Sequence, residues 1–253
     1  MENLTELKKF IYYLAALSAD IIRPYFRAEI NIEHKEDSSP VTIADKNAEE
    51  AMRKTIVDEY PEHGIIGEEF GSYKVDAEYK WVLDPIDGTK SFVCGALSFG
   101  TLIALLKNDK PILGVINQPI LNEFLIGDNK TTLINNKPTS IRSCKDISEA
   151  VLLTTDHINI GEYQNLDKFE KLIRKVKLYR NWGDCYGYYL LATGFADVMI
   201  DPIMSFWDTM ALIPIINGAG GIISDYKGDD PVKGKSIIAA SPGIHSQVIK
   251  YLN

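Results

Sequence analysis

Trp81-Val82-Leu83-Asp84-Pro85-Ile86-Asp87-Gly88-Thr89-Lys90-Ser91-Phe92 begins as a short apolar run and ends in two carboxylates and a glycine. Trp81 to Leu83 reads as a buried strand. Pro85 fixes its own φ and disfavours helix at Asp84, so Asp84 and Asp87 do not share a helix face. The stretch predicts a strand running into a tight turn, with both acids projecting from the strand's carboxyl end. Two carboxylates this close repel each other and call for a cation. That pairing points to a divalent-metal site that handles phosphate.

Outward from this stretch, the first half reads as two helices on a largely antiparallel sheet. Leu7, Phe10, Ile11, Leu14, Leu17, Ile21 and Ile22 recur at helical spacing from Leu4 to about Arg27, where Pro24 bends or ends the helix. Asn31 to Pro40 is polar and charged, and is expected to be a mobile loop that can close over the site. A second helix is expected from Thr42 or Asp45 to Tyr60, then a brief strand at Ile65-Ile66 leading to Gly67-Glu68-Glu69. Ser98 to Leu106, Pro111 to Gln118 and Asn122 to Gly127 follow as a meander.

The second half alternates strand and helix. Strands are expected at 151–154, 177–181, 196–200, 221–224 and 236–240, and helices at 163–175, 184–193, 208–217 and 242–252. Alternation of this kind predicts an α/β half with helices on both faces. The chain is expected to form a single unit over 1–253, with subdomains of about 1–138 and 139–253.

Composition narrows the functional classes. The 253 residues suffice for a substantial core, and 45% hydrophobic with 25% charged residues is ordinary for a globular protein. A formal charge of −8 argues against nucleic acid as the main partner. It leaves phosphorylated small molecules open, because bound cations reverse the local sign. Cys94, Cys144 and Cys185 show no paired spacing, and the four histidines (His34, His63, His157, His245) are scattered and expected at the surface or in loops. No signal peptide or membrane-length apolar run is evident, so a cytoplasmic location and no membrane partner are expected.

Acids stand at four places where turns expose them: Asp45, Glu68-Glu69, Asp84 with Asp87, and Asp208 beside Trp207. An oxygen-only donor set suits a hard cation such as Mg²⁺, whereas softer ions call for the His or Cys clusters absent here. Taken singly, Asp45 and Asp208 also read as first-turn acids or N-caps, Glu68-Glu69 as a solvated pair, and Asp87-Gly88 as a turn dipeptide. The unbroken Asp-Pro-Ile-Asp-Gly-Thr after a buried strand favours the metal reading, because a plain turn needs neither the second acid nor the Thr.

Asp84-Pro85-Ile86-Asp87-Gly88-Thr89 resembles the signature of the inositol monophosphatase-like family of Mg²⁺-dependent, lithium-sensitive phosphatases. Trp207-Asp208, followed by Ala211 and Gly218-Ala219-Gly220-Gly221, resembles its second signature. Gly67-Glu68-Glu69 and Thr42-Ile43-Ala44-Asp45 match the remaining motifs in order. The resemblance implies an α/β/α/β/α layered sandwich of α+β and α/β parts, with a mostly antiparallel sheet in the first half and a mixed sheet in the second, assembled as a homodimer. It implies that Glu68, Asp84, Asp87, Asp208 and the Ile86 carbonyl hold two or three Mg²⁺ ions. It further implies that Thr89 and Asp45 orient the attacking water and that the Gly88 and Thr89 N–H groups receive the phosphate.

Gly183-Asp184-Cys185-Tyr186-Gly187-Tyr188 resembles the histidinol-phosphatase branch, which places Asp184 and Asp201 against the leaving alcohol. Two carboxylates there suit the cationic groups of histidinol phosphate; otherwise Asp184 caps its helix and Asp201-Pro202 is a turn. Ser205-Phe206 stand where Pro is common, and Asn217 where Glu is frequent, which bears on substrate rather than on metal. Inositol or another sugar-alcohol phosphate is the alternative substrate, and a 3′-phosphonucleotide a third. A non-catalytic regulatory member would lack a ligand, and none is missing. Gly218 to Gly221 follows a helix and precedes a strand, the reverse of a dinucleotide-binding fingerprint.

Overall fold

The computed structural model describes residues 3–29, 32–34 and 40–253. Asn3 starts helix α1 (Leu4–Ile22) by accepting the Thr5 N–H, and Leu7, Ile11, Leu14 and Ala15 form its inward stripe. Arg23-Pro24-Tyr25 then tighten into one 3₁₀ turn. Strands β1 (Ile32–His34) and β2 (Pro40–Thr42) pair antiparallel, so part of the loop expected over 31–40 is a short ladder. Asn31 and residues 35–39 lie outside the described residues. Thr42 caps α2 (Ile43–Glu59) through a reciprocal capping box with Asp45.

The larger sheet takes β3 (Gly64–Gly67), β4 (Gly71–Tyr73), β5 (Tyr79–Asp87), β6 (Gly100–Lys107), β7 (Lys110–Gln118), β8 (Glu123–Gly127), β9 (Thr132–Ile134) and β10 (Lys137–Thr139). Their order is β10-β9-β8-β7-β6-β5-β3-β4, and among them only β3 and β5 run parallel. Helix α3 (Thr89–Val93) leaves the end of β5. The opening stretch needs one correction: its strand does not stop at Leu83 but continues to Asp87, with a register shift against β6 between Asp84 and Asp87. Pro85 has no N–H for the ladder, and its carbonyl accepts the Thr101 hydroxyl at 2.8 Å. The two acids therefore stand on a bulged strand end.

The second sheet takes β11 (Val151–Thr154), β12 (Leu178–Arg180), β13 (Val198–Asp201), β14 (Ile222–Ser224) and β15 (Ile237–Ala240), in the order β12-β11-β13-β15-β14. The first three are parallel and the rest antiparallel, so the sheet is mixed as expected. Its helices are α4 (His157–Tyr163), α5 (Leu166–Ile173), α6 (Asp184–Ala192), α7 (Phe206–Gly218) and α8 (Pro242–Leu252). The helix expected over 163–175 is α5, which Asn165 starts by accepting the Lys168 N–H at 3.0 Å; α4, ahead of the extended Gln164, is not among the expected elements.

Alternation along β5 assigns the layers. Trp81 and Leu83 pack with α1 and α2 through Leu7, Leu14, Met52 and Ile56. Val82 faces the other way, onto a core of α6, α7 and the second sheet that includes Tyr188, Leu191, Ala211, Leu212, Ile215 and Met199. The far face of the second sheet is covered by Phe169, Leu172, Ile244 and Val248 of α5 and α8. The result is an α/β/α/β/α sandwich. Both faces of β5 are buried, which is why it reads as an uninterrupted apolar run. Among the described residues no helix is long and apolar enough to cross a membrane.

His245, expected at the surface or in a loop, is a core residue of α8, and His63, which does lie in the loop before β3, is buried as well. His63 accepts from Trp81 Nε1 at 3.1 Å and stacks on Tyr60 and Tyr79. His245 lies 2.9 Å from Ser224 Oγ, and burial pushes its pKa below the ordinary value of 6.5. A depressed histidine gives stability that is complete above the unfolded pKa and falls as pH drops through about 6.5. The melting temperature of wild type should therefore lose ground relative to His245→Gln between pH 7.5 and pH 5.5. A constant difference between the two across that range, measured by thermal melts, would contradict it.

Candidate active site

Three elements converge on the cleft. The bulged end of β5 brings Asp84 and Asp87. The first turn of α7 brings Asp208, which takes the Ser205 N–H at 3.0 Å in a capping box. Oxygens of Asp84, Asp87 and Asp208 come within 4.8 Å of one another. Glu68 follows β3, its N–H bound to the Leu83 carbonyl at 3.1 Å, and lines the same cleft of about 370 Å³ with Ile86, Gly88 and Thr89. All the acids assigned as ligands thus share one cavity.

Crowding is visible in their protonation. Burial, then the like charges of Glu68, Asp87 and Asp208, push Asp84 well above the carboxylate range. Burial and the charges of Asp184 and Asp208 do the same to Asp87, against the opposing hydrogen bond from the Cys185 N–H. Asp208 is pushed up to about 7 by burial and by Glu68, Asp201 and Asp184, with the Ser205 N–H opposing. Asp84 Oδ1 is buried without a hydrogen-bond partner. A lone-pair-rich oxygen left bare among three carboxylates is the arrangement a hard cation completes, and the donor set is oxygen throughout. The residues present fit such a cation.

Asp45 and Thr89 are engaged with different partners, and of the two only Thr89 lines the cleft. Asp45 is buried, with Oδ2 accepting the Thr42 N–H at 2.8 Å and the Thr42 hydroxyl at 2.6 Å. Burial, opposed by these bonds and reinforced by Glu69 and Glu68, raises its pKa to about 6. The Thr89 hydroxyl donates to the Ile86 carbonyl at 3.0 Å. Among the described residues no direct hydrogen bond joins Asp45 to Thr89.

Asp184 and Asp201 meet in an adjoining pocket of about 120 Å³ that also receives Asp87 and Asp208. Asp184 does not cap α6 with its side chain. Its Oδ2 accepts the Ser91 hydroxyl at 2.9 Å, its N–H donates to Thr155 Oγ1 at 2.9 Å, and it sits at φ +50°. Burial, together with Asp201, raises its pKa to about 6 against the effects of Ser91 and Lys90. A Cβ at Gly88 would lie 2.9 Å from Asp184 Oδ2, so that glycine serves both a left-handed turn (φ +85°) and the approach of this carboxylate. Asp201 is enclosed, accepting the Thr155 N–H at 3.0 Å and the Tyr188 hydroxyl at 2.8 Å, so it orders the pocket wall.

Sequence reasoning passed over Thr155, Asp156 and Asn159, which line both cavities, and Ser91, which links to Ser98 at 3.1 Å. The first three follow the carboxyl end of parallel strand β11, a position where α/β sheets gather ligand-binding groups. That rule was the available signal.

The sequence profile of the inositol monophosphatase family matches residues 3–253. The chain belongs to the inositol monophosphatase family. The bifunctional phosphatase IMPL2, chloroplastic, of Arabidopsis thaliana is 48% identical over 231 residues, covering 88% of this chain and 66% of that protein, so the chain spans just under two thirds of that relative. A histidinol-phosphatase of Chlorobaculum parvum is 35% identical, with 93% of this chain and 92% of the relative covered. An inositol monophosphatase structure from Zymomonas mobilis superposes with a TM-score of 0.89 at 39% identity, covering 100% of this chain and 99% of that one. Inositol monophosphatase family members are phosphomonoester hydrolases, generally metal-dependent, and this chain is a phosphatase of that family with its acid cluster at Asp84, Asp87 and Asp208.

Proposed function

We propose that this phosphatase hydrolyses histidinol phosphate with Mg²⁺ held by Glu68, Asp84, Asp87, Asp208 and the Ile86 carbonyl. The observation that carries the substrate is the acid-walled pocket of Asp184, Asp201 and Asp208 beside the metal cleft. A pocket of that sign suits a leaving alcohol bearing an ammonium and an imidazole better than a neutral polyol. The Chlorobaculum parvum histidinol-phosphatase supports the same reading.

Bound Mg²⁺ would neutralise phosphate charge and lower the pKa of water at the cleft. The chain's own groups do the rest. Gly88 and Thr89 would offer backbone N–H groups to phosphate oxygens, and the glycine leaves room there for the Asp184 carboxylate that sits against it. With its proton committed to the Ile86 carbonyl, Thr89 Oγ1 keeps lone pairs free to accept a hydrogen bond from a water and so orient it. Asp45 on α2, which feels the charges of Glu69 and Glu68, is the further carboxylate we assign to take the water's proton. Asp184 faces the leaving group.

Inositol phosphate is the second reading, favoured by the Zymomonas mobilis structure. Steady-state phosphate release in Mg²⁺ from histidinol phosphate, inositol 1-phosphate and a 3′-phosphonucleotide separates them. We expect histidinol phosphate to give the highest kcat/KM. Rapid release from inositol 1-phosphate with none from histidinol phosphate would reject the substrate, and no release from any ester would reject catalysis.

A further inference from the structure

Glu49 is a fully buried carboxylate on α2, one turn after Asp45 and outside the acid cluster. Its Oε2 accepts the Glu69 N–H at 2.8 Å, and its Oε1 accepts the Phe70 N–H at 3.1 Å and Arg53 Nη1 at 3.0 Å. Arg53 Nη1 also donates to the Gly71 carbonyl at 2.9 Å. A Cβ at Gly67 would stand 2.0 Å from Glu49 Oε1, so the carboxylate is seated directly against the turn. Burying a carboxylate is costly unless it is paired and hydrogen-bonded. A turn at the sheet edge has no need of one, because water can satisfy its N–H groups. What this turn carries is Glu68, whose own N–H is held on the other side by the Leu83 carbonyl at 3.1 Å.

We propose that Glu49 is a positioning residue that fixes the Glu68 backbone from beneath and thereby sets Mg²⁺ affinity without touching cation or substrate. The inference rests on the metal-ligand reading of Glu68 given above. Arg53 supports the same clamp by bridging Glu49 to the far end of the turn. Partners that orient a ligand in this way are commonly worth ten- to a hundredfold in metal affinity.

The test is calorimetric titration with Mg²⁺ alone, together with the Mg²⁺-induced rise in melting temperature, on wild type, Glu49→Gln and Met52→Ala. Met52 is a buried core residue of the same helix and reports destabilisation without the clamp. Glu49→Gln should bind Mg²⁺ about tenfold more weakly and show a smaller rise, and saturating Mg²⁺ should restore most of kcat. Met52→Ala should melt lower but keep wild-type Mg²⁺ affinity. A folded Glu49→Gln with unchanged affinity, or one that only mirrors Met52→Ala, overturns the inference. Wild type that binds no Mg²⁺ overturns the metal reading instead. If Glu49→Gln fails to fold, Arg53→Lys decides by the same two readouts.

Discussion

Asp87→Asn should lower kcat/KM about a thousandfold or more, equivalent to about 4 kcal/mol of transition-state stabilisation. The substitution exchanges one carboxylate oxygen for an amide NH2, removing an ionisable ligand from a group of acids whose oxygens lie within 4.8 Å of one another. The fold should survive, because the remaining amide oxygen can still accept the Cys185 N–H that now binds Asp87 Oδ2. Stability should move the other way in the cation-free protein. Burying Asp87 beside Asp84 and Asp208 costs stability, so replacing it with a neutral amide should raise the melting temperature in EDTA. On the proposed metal reading, Mg²⁺ should stabilise wild type by binding only the folded state, and that increment should shrink in the variant. Thermal melts with and without Mg²⁺, paired with activity, check both halves. Near-wild-type turnover at saturating Mg²⁺ would remove Asp87 from the metal site.

The parts of this site that were legible in the sequence are those whose chemistry is contiguous. Asp84, Asp87, Gly88 and Thr89 stand in one run behind an apolar strand, so their grouping needed no knowledge of the fold. Glu68 and Asp208 stood out as turn-exposed acids, but their ligand roles came only from motif resemblance, since nothing local distinguishes Asp208 from an ordinary first-turn acid. The structure shows that it is both, taking the Ser205 N–H in a capping box while lining the cleft. Thr155 and Ser91 were not legible, because their roles arise where β11 and α3 meet Asp184 across long stretches of chain. Among the elements, the long strands β5, β6 and β7 announced themselves, while β4, β9 and β10 are three residues each and too short to show a period. Helix α4 is missing from the sequence reading because it is seven residues long and buries only Ile160, so it shows no apolar stripe. His245 was misplaced because a neutral imidazole that finds polar partners, here Ser224 and the Ile238 backbone, enters a core as readily as it meets solvent, and sequence carries no mark of those partners.

Asp184→Asn should turn substrate preference rather than abolish hydrolysis. The choice of Asn matters. Asp184 occupies the left-handed region at φ +50°, which Asn tolerates and Ala does not, so the backbone of the α6 entry is preserved. The Ser91 hydroxyl can donate to the amide oxygen as it does to the carboxylate at 2.9 Å, so the side chain stays in place against Gly88. What changes is the charge presented to the leaving alcohol. Its pKa of about 6 leaves Asp184 mostly ionised at pH 7.5, and a charge-assisted bond to an ammonium or imidazolium is worth about 1.5–3 kcal/mol. Histidinol phosphate should therefore lose about 10- to 100-fold in kcat/KM. Release from inositol 1-phosphate should change by less than about threefold, because a polyol makes only neutral hydrogen bonds there. An equal loss on both esters would mean that Asp184 acts on the phosphate end, through Gly88 and α3. No loss on either would place the leaving group elsewhere, and the wall formed by Thr155, Asp156 and Asn159 would be the next to alter.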